Sequence, residues 1–220
     1  MGVLEQLEPQ GVFHFFEELC AIPHGSRNCQ AVSDWCVSFA KERGLEHYQD
    51  EAGNVIIVQG ASPGYEAAEP VILQGHLDMV CEKEPGCPKD MAKEGLELYV
   101  EDGYVRARGT TLGGDDGIAV AMALAILDDR TLPHPRLEVV LTTEEEIGML
   151  GAQVLDTSPL RGRKLLNLDS EEEGVFTVSC AGGSMVRCTL PVARAPYRGM
   201  ALQVTVRGLV GGHSGTEIHK

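Results

Sequence analysis

The chain contains 220 residues, of which 43% are apolar and 26 are glycine, a composition typical of a globular, loop-rich α/β protein rather than a disordered or fibrous one. Its 33 acidic and 18 basic residues give a net charge of −15, which argues against nucleic acid or an anionic membrane as a partner. No apolar run approaches the roughly 20 residues that span a bilayer, and the first residues lack the basic and apolar regions of a secretion signal.

Seven cysteines are spread along the chain without any C-x-x-C pair. An odd number of cysteines in a chain without an export signal indicates reduced thiols. We therefore expect a cytoplasmic protein whose cysteines mostly fill the core, and we do not expect a structural zinc finger.

The first part of the chain predicts two helices followed by two strands. Residues 11–22 have a helical pattern, and residues 27–43 predict a second helix that ends before Gly44, a residue type that often follows a helix. The β-rich runs at 54–60 and 71–76 predict strands, separated by a polar loop that contains proline and glycine.

The middle of the chain continues with strands and one strongly apolar helix. Residues 96–108 predict a hairpin, and the small, apolar residues at 117–129 predict a helix buried against a sheet. Two further buried strands are predicted at 137–143 and 164–169. Continuous apolar strands that alternate with helices predict an α/β fold with a central mixed, largely parallel sheet flanked by helices.

A change of composition after Gly183 predicts a domain boundary. Residues 185–193 and 200–209 alternate like half-exposed strands of a different, antiparallel sheet. We expect residues 1–183 to form one domain and residues 184–220 to be the incomplete start of a second, α+β domain. Open edge strands would make the isolated chain poorly soluble.

Acidic residues and one histidine follow the predicted buried strands. His76 and Asp169 each end a strand, the glutamates 144–146 follow another, and Asp115 lies just before the buried helix. In open α/β sheets, ligands bind beyond the carboxyl ends of the strands. Alone, Asp115 could be a helix cap and the glutamates a solvated turn. Four such coincidences at one edge favour a shared metal site.

The ligand types indicate which metal the site would hold. One imidazole with carboxylates and no thiolate suits zinc, with manganese or cobalt as alternatives. An acid shared by two ions would set them roughly 3.5–4 Å apart, as in two-metal hydrolases. Residues i and i+2 of a strand face the same side, so Asp78 is placed to hold the ring of His76.

Five segments of the chain resemble, in order and spacing, the M20 metallopeptidases: ILQGHLDMVCEK, RGTTLGGDDGIAVAMALAIL, TTEEEIGMLGA, LLNLDSEEEG and CAGG. The resemblance implies a zinc-peptidase-like catalytic domain over residues 1–183 and the start of a lid and dimerisation domain over residues 184–220. It is greatest with the dipeptidases of the family. It therefore implies a small-peptide substrate, either an Xaa-His dipeptide such as β-alanyl-histidine or a broad range of dipeptides.

The resemblance also implies roles for individual residues. His76 and Asp169 would bind the first zinc ion, and Asp115 would bridge both ions. Glu146 would bind the second ion. Glu145 would be the general base for a water that the two ions share.

Three supporting features follow from the same resemblance. Asp78 would orient and polarise His76 without binding metal. A cis non-proline peptide bond would join Asp115 and Asp116. His213 would donate a hydrogen bond to the oxyanion, and a homodimer formed through the lid domain would bring this histidine to the partner's site.

The position of the general base depends on the register of the glutamate triplet. The following GMLGA segment assigns the base and the ligand to Glu145 and Glu146 rather than to Glu144 and Glu145. The family also supplies a histidine to the second zinc ion after the lid, and we expect that ligand to be missing from these 220 residues.

Two other functions remain open from the sequence. An M20 amidase or deacylase acting on an N-acyl amino acid would use the same kind of site, although CAGG and NLDSEEEG favour the dipeptidase. A truncated, non-catalytic protein with a metal-binding or interaction role is the other alternative, and the missing histidine motivates it.

Overall fold

The computed structural model describes residues 2–170, 173–179, 186–196 and 198–208. The chain divides into two units, Met1–Glu173 and Gly174–Lys220. The described helices and strands all lie in the first unit.

A five-stranded mixed sheet forms the centre of the first unit. Its strands, in spatial order, are β1 (Glu46–Gln49), β2 (Val55–Gln59), β6 (Leu137–Thr142), β3 (Val71–His76) and β7 (Lys164–Asn167). Strand β3 pairs in parallel with both β6 and β7, whereas β1–β2 and β2–β6 are antiparallel. A separate hairpin consists of β4 (Leu98–Glu101) and β5 (Tyr104–Ala107).

Three helices, α1 (Gln10–Cys20), α2 (Gln30–Glu42) and α3 (Gly114–Asp128), bury their apolar residues against one face of this sheet. Helix α1 packs against α3, and α3 packs on β3. The two helices approach each other closely at Gly117, where an added Cβ atom would lie only 2.7 Å from Leu19 Cδ2. A smaller apolar cluster, centred on Ile56, Ile72 and Val140, covers the other face. The prediction of a central mixed sheet flanked by helices is confirmed, with two parallel and two antiparallel strand pairings rather than a largely parallel arrangement.

The parallel strands β3, β6 and β7 end at the same edge of the sheet. His76 is the last residue of β3, and it lies opposite Thr142, the last residue of β6. The glutamates 144–146 therefore begin two residues beyond this pair, and Asp169 follows β7 by two residues. The strand ends thus carry the predicted ligands to one edge.

Several elements differ from the prediction. Helix α3 begins at Gly114, before the predicted start, and its first turn contains non-helical backbone at Asp115 and Asp116. Strand β1 and the short helix α4 (Leu150–Val154) were not predicted. Strand β1 was missed because its polar sequence, EHYQ, places it at the exposed edge of the sheet.

The predicted strands at 185–193 and 200–209 do not form in the part of the second unit that the structure describes. A strand needs a hydrogen-bonding neighbour and a surface on which to bury one face. The described apolar side chains there are exposed instead, including Leu190 at 81% and Val204 at 90%. The alternation of the sequence was therefore not sufficient to make a sheet.

Within the described residues, no helix combines the length and the apolar character that crossing a membrane requires.

Candidate metal centre

His76 lies at the centre of the candidate site and is 1% exposed. Its Nδ1 atom is 2.9 Å from the backbone oxygen of Asp78 and 3.5 Å from Asp78 Oδ1. Its Nε2 atom is 3.0 Å from Asp115 Oδ1. Burial alone would lower the pKa of His76, but the carboxylates of Asp78, Asp116 and Asp115 outweigh it and raise the pKa to about 10. The imidazole therefore lies in a strongly negative environment, which suits a cation.

Asp78 is buried and connects His76 to the loop after β6. Its Oδ2 atom accepts hydrogen bonds from Ser26 Oγ at 2.8 Å and from the Glu146 amide at 3.3 Å, and its Oδ1 atom accepts one from the Glu145 amide at 2.9 Å. Burial alone would raise the pKa of Asp78, but the His76 imidazole and these donors hold it below its usual value. Asp78 thus stays ionised and positions both the histidine and the loop after β6 that carries the glutamates 144–146 (the glutamate loop).

Asp115 and Asp116 lie at the start of α3 and are joined by a cis non-proline peptide bond, as the resemblance implied. The side chain of Asp115 is 53% exposed, whereas Asp116 is buried. Asp116 Oδ2 accepts a hydrogen bond from the His76 amide at 3.0 Å. A Cβ atom at Gly75 would lie 2.7 Å from this same oxygen, so a side chain at this position would displace the Asp116 carboxylate. The two neighbouring acids therefore face different surroundings.

The glutamate loop separates its three side chains. Glu144 turns away from the strand ends and accepts hydrogen bonds from the Arg27 amide at 2.7 and 2.9 Å. Glu145 and Glu146 are half-buried. Burial is the main cause that raises the pKa of each, and for Glu146 the neighbouring Asp115 carboxylate raises it further. Glu144 is engaged elsewhere, so the other two are the glutamates available to the site.

Two groups of potential ligands share Asp115. In one, ligand atoms of His76, Asp115 and Glu146 all lie within 4.8 Å of one another, and in the other the same is true of Asp115, Asp116 and Asp169. Neither of these groups contains both His76 and Asp169, and their predicted pairing on one ion stays a prediction. His213 lies outside the described residues. One imidazole with several carboxylates fits divalent cations such as zinc or manganese.

Three further residues support the site without having been predicted. Asp116 could have been suspected from the doubled aspartate in GGDDG. The sequence around Ser26 or Asn54 does not indicate a role in the site, because each side chain acts through a partner that is distant in the sequence. Asn54 Oδ1 accepts a hydrogen bond from the Thr143 amide at 3.0 Å, and Asn54 Nδ2 donates to the Gly151 oxygen at 3.0 Å, so this side chain holds both ends of the glutamate loop.

Comparison with known proteins agrees with this geometry. Residues 72–187 match the model of peptidase family M20/M25/M40. The chain is 42% identical to the cytosol non-specific dipeptidase of Escherichia coli strain K12, over 100% of this chain and 46% of that protein. It is 37% identical to the acetylornithine deacetylase of Myxococcus xanthus, over 53% of this chain and 28% of that protein. The chain thus spans about half, or less, of these relatives.

A solved structure has the same fold. The aminoacylhistidine dipeptidase from Vibrio alginolyticus superposes with a TM-score of 0.76 and 40% identity, covering 78% of this chain and 35% of that one. The family match spans more than half of the 220 residues and includes the ends of β3, β6 and β7. The chain therefore belongs to the peptidase family M20/M25/M40.

Proposed function

We propose that this chain carries most of the metal-binding site of a dipeptidase. The observation that supports this most directly is the pair of ligand groups that share Asp115 at the carboxyl edge of the sheet. Membership of family M20/M25/M40 and similarity to a cytosol non-specific dipeptidase and an aminoacylhistidine dipeptidase support the same type of reaction. The proposal concerns the whole protein to which these residues contribute.

The proposed metal ligands are His76, Asp115, Glu146 and Asp169. Asp115 would be shared between two ions. Zinc is the metal that we propose, with manganese or cobalt as alternatives, because one imidazole among carboxylates suits these ions. Bound there, the ions would polarise the scissile carbonyl and lower the pKa of the attacking water. Asp78 would keep the His76 ring in place through its contacts at Nδ1, which are 2.9 and 3.5 Å long.

Glu145 is the proposed general base. It would take a proton from the attacking water and later deliver it to the leaving amine. Burial raises the pKa of Glu145, and the nearby carboxylates of Asp169, Asp78 and Asp115 raise it further against the lowering effect of His76. A raised pKa brings a carboxylate closer to neutral pH, where a general base works best. The hydrogen bond from its amide to Asp78 Oδ1, at 2.9 Å, would keep the base aligned.

The proposed substrates are dipeptides, either Xaa-His dipeptides such as β-alanyl-histidine or a broad range. Deacylation of N-acyl amino acids is the second candidate, and the 37% identity to an acetylornithine deacetylase favours it. Comparison of β-alanyl-histidine with N-acetylated amino acids in the full protein separates the two. Release of histidine supports the dipeptidase, and hydrolysis of the acetylated substrates alone would replace it with the deacylase.

The same proposal includes a role for His213, a homodimer and a cytoplasmic location for the protein. His213 would donate a hydrogen bond to the oxyanion, in the site of the partner subunit of a homodimer. Exposed apolar side chains in the described part of the second unit, among them Phe176 at 90% and Val178 at 95%, support an interaction surface there. The name of the Escherichia coli relative, a cytosol dipeptidase, supports a cytoplasmic location.

Replacement of the proposed base tests the mechanism. Glu145→Gln keeps the shape of the side chain but cannot accept the proton, so we expect kcat for dipeptides to fall about 10²–10⁴-fold with the zinc content unchanged. The matched control is Glu51→Gln, at an exposed glutamate between β1 and β2, which should keep full activity. Full activity in the Glu145→Gln variant would remove Glu145 from the mechanism.

A further inference from the structure

A cavity of about 320 Å³ lies next to the proposed metal ligands. Glu146 and Ile147 form one wall, Met79 and Val80 form another, and Met91 belongs to a third segment. Glu146 is also a member of the ligand group with His76 and Asp115. A molecule bound at the metal centre would therefore have part of its structure at the mouth of this cavity.

The cavity is mostly apolar, and apart from Glu146, whose carboxylate is a proposed metal ligand, its polar side chains Ser26 and Asn28 already have partners. Met79 and Met91 are 3% and 8% exposed. Ser26 Oγ donates to Asp78 at 2.8 Å, and Asn28 Nδ2 donates to the Ala92 oxygen at 3.1 Å. No lysine or arginine lines the cavity within the part of the chain that the structure describes. With the Glu146 carboxylate engaged by the metal ions, such walls favour an uncharged, apolar group, because a charged one would remain unpaired.

The loop of residues 24–28 forms one side of the cavity, and several hydrogen bonds hold this loop in place. Its backbone pairs with the residues after β3 through Ser26 N to Met79 O at 3.3 Å and Met79 N to His24 O at 3.2 Å. The Arg27 amide is bound by Glu144. A cavity with fixed walls is formed before its ligand arrives, which reduces the entropy lost on binding.

We propose that this cavity receives an apolar side chain, such as that of leucine or methionine, from one residue of the peptide substrate. The inference rests on the proposed function, since the peptide would be bound at the adjacent metal centre. A volume of about 320 Å³ is at the small end of ligand pockets, which suits one side chain rather than a longer segment. The backbone around the cavity is held in place, but the side chains of Met79 and Met91 can adapt to different shapes, so the cavity selects apolar character rather than one residue type.

Narrowing the cavity tests the selectivity. Ala92 lines it, and Ala92→Phe would fill part of it. We expect the ratio of kcat/KM for Leu-Gly or Gly-Leu to that for Gly-Gly to fall about tenfold, with zinc content and thermal unfolding unchanged. Ala67→Phe, at an exposed position in the loop between β2 and β3, is the matched control. An unchanged ratio for both leucine peptides in Ala92→Phe would overturn the proposal, and Ala92→Leu replaces this variant if it does not fold.

Cys81 provides a measurement that does not depend on hydrolysis. This exposed thiol lines the cavity, whereas the exposed Cys188 does not. In the zinc-loaded Glu145→Gln variant, a leucine-containing dipeptide at about ten times its Kd should slow alkylation of Cys81 about tenfold. Alkylation of Cys188 should not change, and Gly-Gly should protect Cys81 less.

The two measurements separate the two proposals. Protection of Cys81 without hydrolysis by the wild-type protein would reject the dipeptidase and retain a site for an apolar side chain. Hydrolysis of dipeptides without protection of Cys81 would retain the dipeptidase and overturn the cavity. Absence of both would overturn both.

Discussion

His76 illustrates how individual residues prepare the site for a cation. Its ring nitrogens lie 3.5 Å from Asp78 Oδ1 and 3.0 Å from Asp115 Oδ1, and its amide binds the buried Asp116. Burial raises the pKa of Asp116, and repulsion from the Asp169 and Asp115 carboxylates adds to this effect, so that the pKa is about 7 although His76 lowers it. A divalent cation would offset that repulsion, so the arrangement makes physical sense as a metal site.

Removal of one charge at Asp78 is the first prediction at this scale. Asp78→Asn keeps the size of the side chain but leaves one oxygen to accept the bonds now made by Ser26 Oγ and the Glu145 and Glu146 amides. We expect zinc affinity to fall about 10–100-fold, measured by competition with a chromogenic chelator. Asp102→Asn is the control, because Asp102 is an exposed turn residue between β4 and β5. Wild-type affinity in Asp78→Asn would contradict the role given to Asp78.

The second prediction is that the reactivity of each cysteine thiol decreases with its burial. Burial raises the pKa of Cys20 and Cys29 to about 12, and it raises that of Cys36 as well. We expect iodoacetamide at pH 8 to label the exposed Cys81 and Cys188 while these three thiols react only after unfolding. Mass spectrometry of the labelled peptides gives the rate at each position. Labelling of Cys36 in the folded protein as fast as Cys81 would show that the core is not closed.

At the scale of elements, a buried carboxylate connects β6 to the chain that leads into β7. Glu138 is 0% exposed, pairs with Arg136 Nε at 2.7 Å, and accepts hydrogen bonds from the amides of Arg161 and Gly162. Strand β7 begins two residues after Gly162 and leads to Asp169. This contact therefore helps to set where a proposed ligand arrives at the sheet edge.

Glu138→Gln should destabilise the fold in a manner that depends on pH. The bonds from Arg136 and the Gly162 and Arg161 amides hold the pKa of Glu138 below its usual value, although burial alone would raise it. Its contribution is therefore present above the unfolded-state pKa of about 4.3 and is lost as the pH falls through the folded-state pKa. We expect a loss of about 1.5–3 kcal/mol at pH 7 and a smaller loss near pH 3, measured by urea unfolding.

The control for this experiment is Glu51→Gln, which changes an exposed glutamate and should alter the free energy of unfolding by less than about 0.5 kcal/mol at either pH. A loss for Glu138→Gln that is equal at both values of pH would mean that the ionised carboxylate is not what stabilises this contact.

At the scale of the whole molecule, the features that could be predicted from the sequence are those that depend on a local pattern of residues. The apolar run at 71–76 has the same bounds as β3, and the residues at the ends of β3, β6 and β7 meet at one edge. Asn54 and Ser26 could not be predicted, because their partners lie 89 and 52 residues away. Alternation at 200–209 predicted a strand that residues 200–208, the described part of this segment, do not form, since a strand also needs a neighbour.

The most direct test of the central claim, two metal ions that share Asp115, is anomalous diffraction at the zinc absorption edge from crystals of the zinc-loaded full protein. We expect two anomalous peaks roughly 3.5–4 Å apart, both in contact with the Asp115 carboxylate and flanked by His76, Glu146 and Asp169. A single peak, or two peaks of which neither contacts Asp115, would contradict the account.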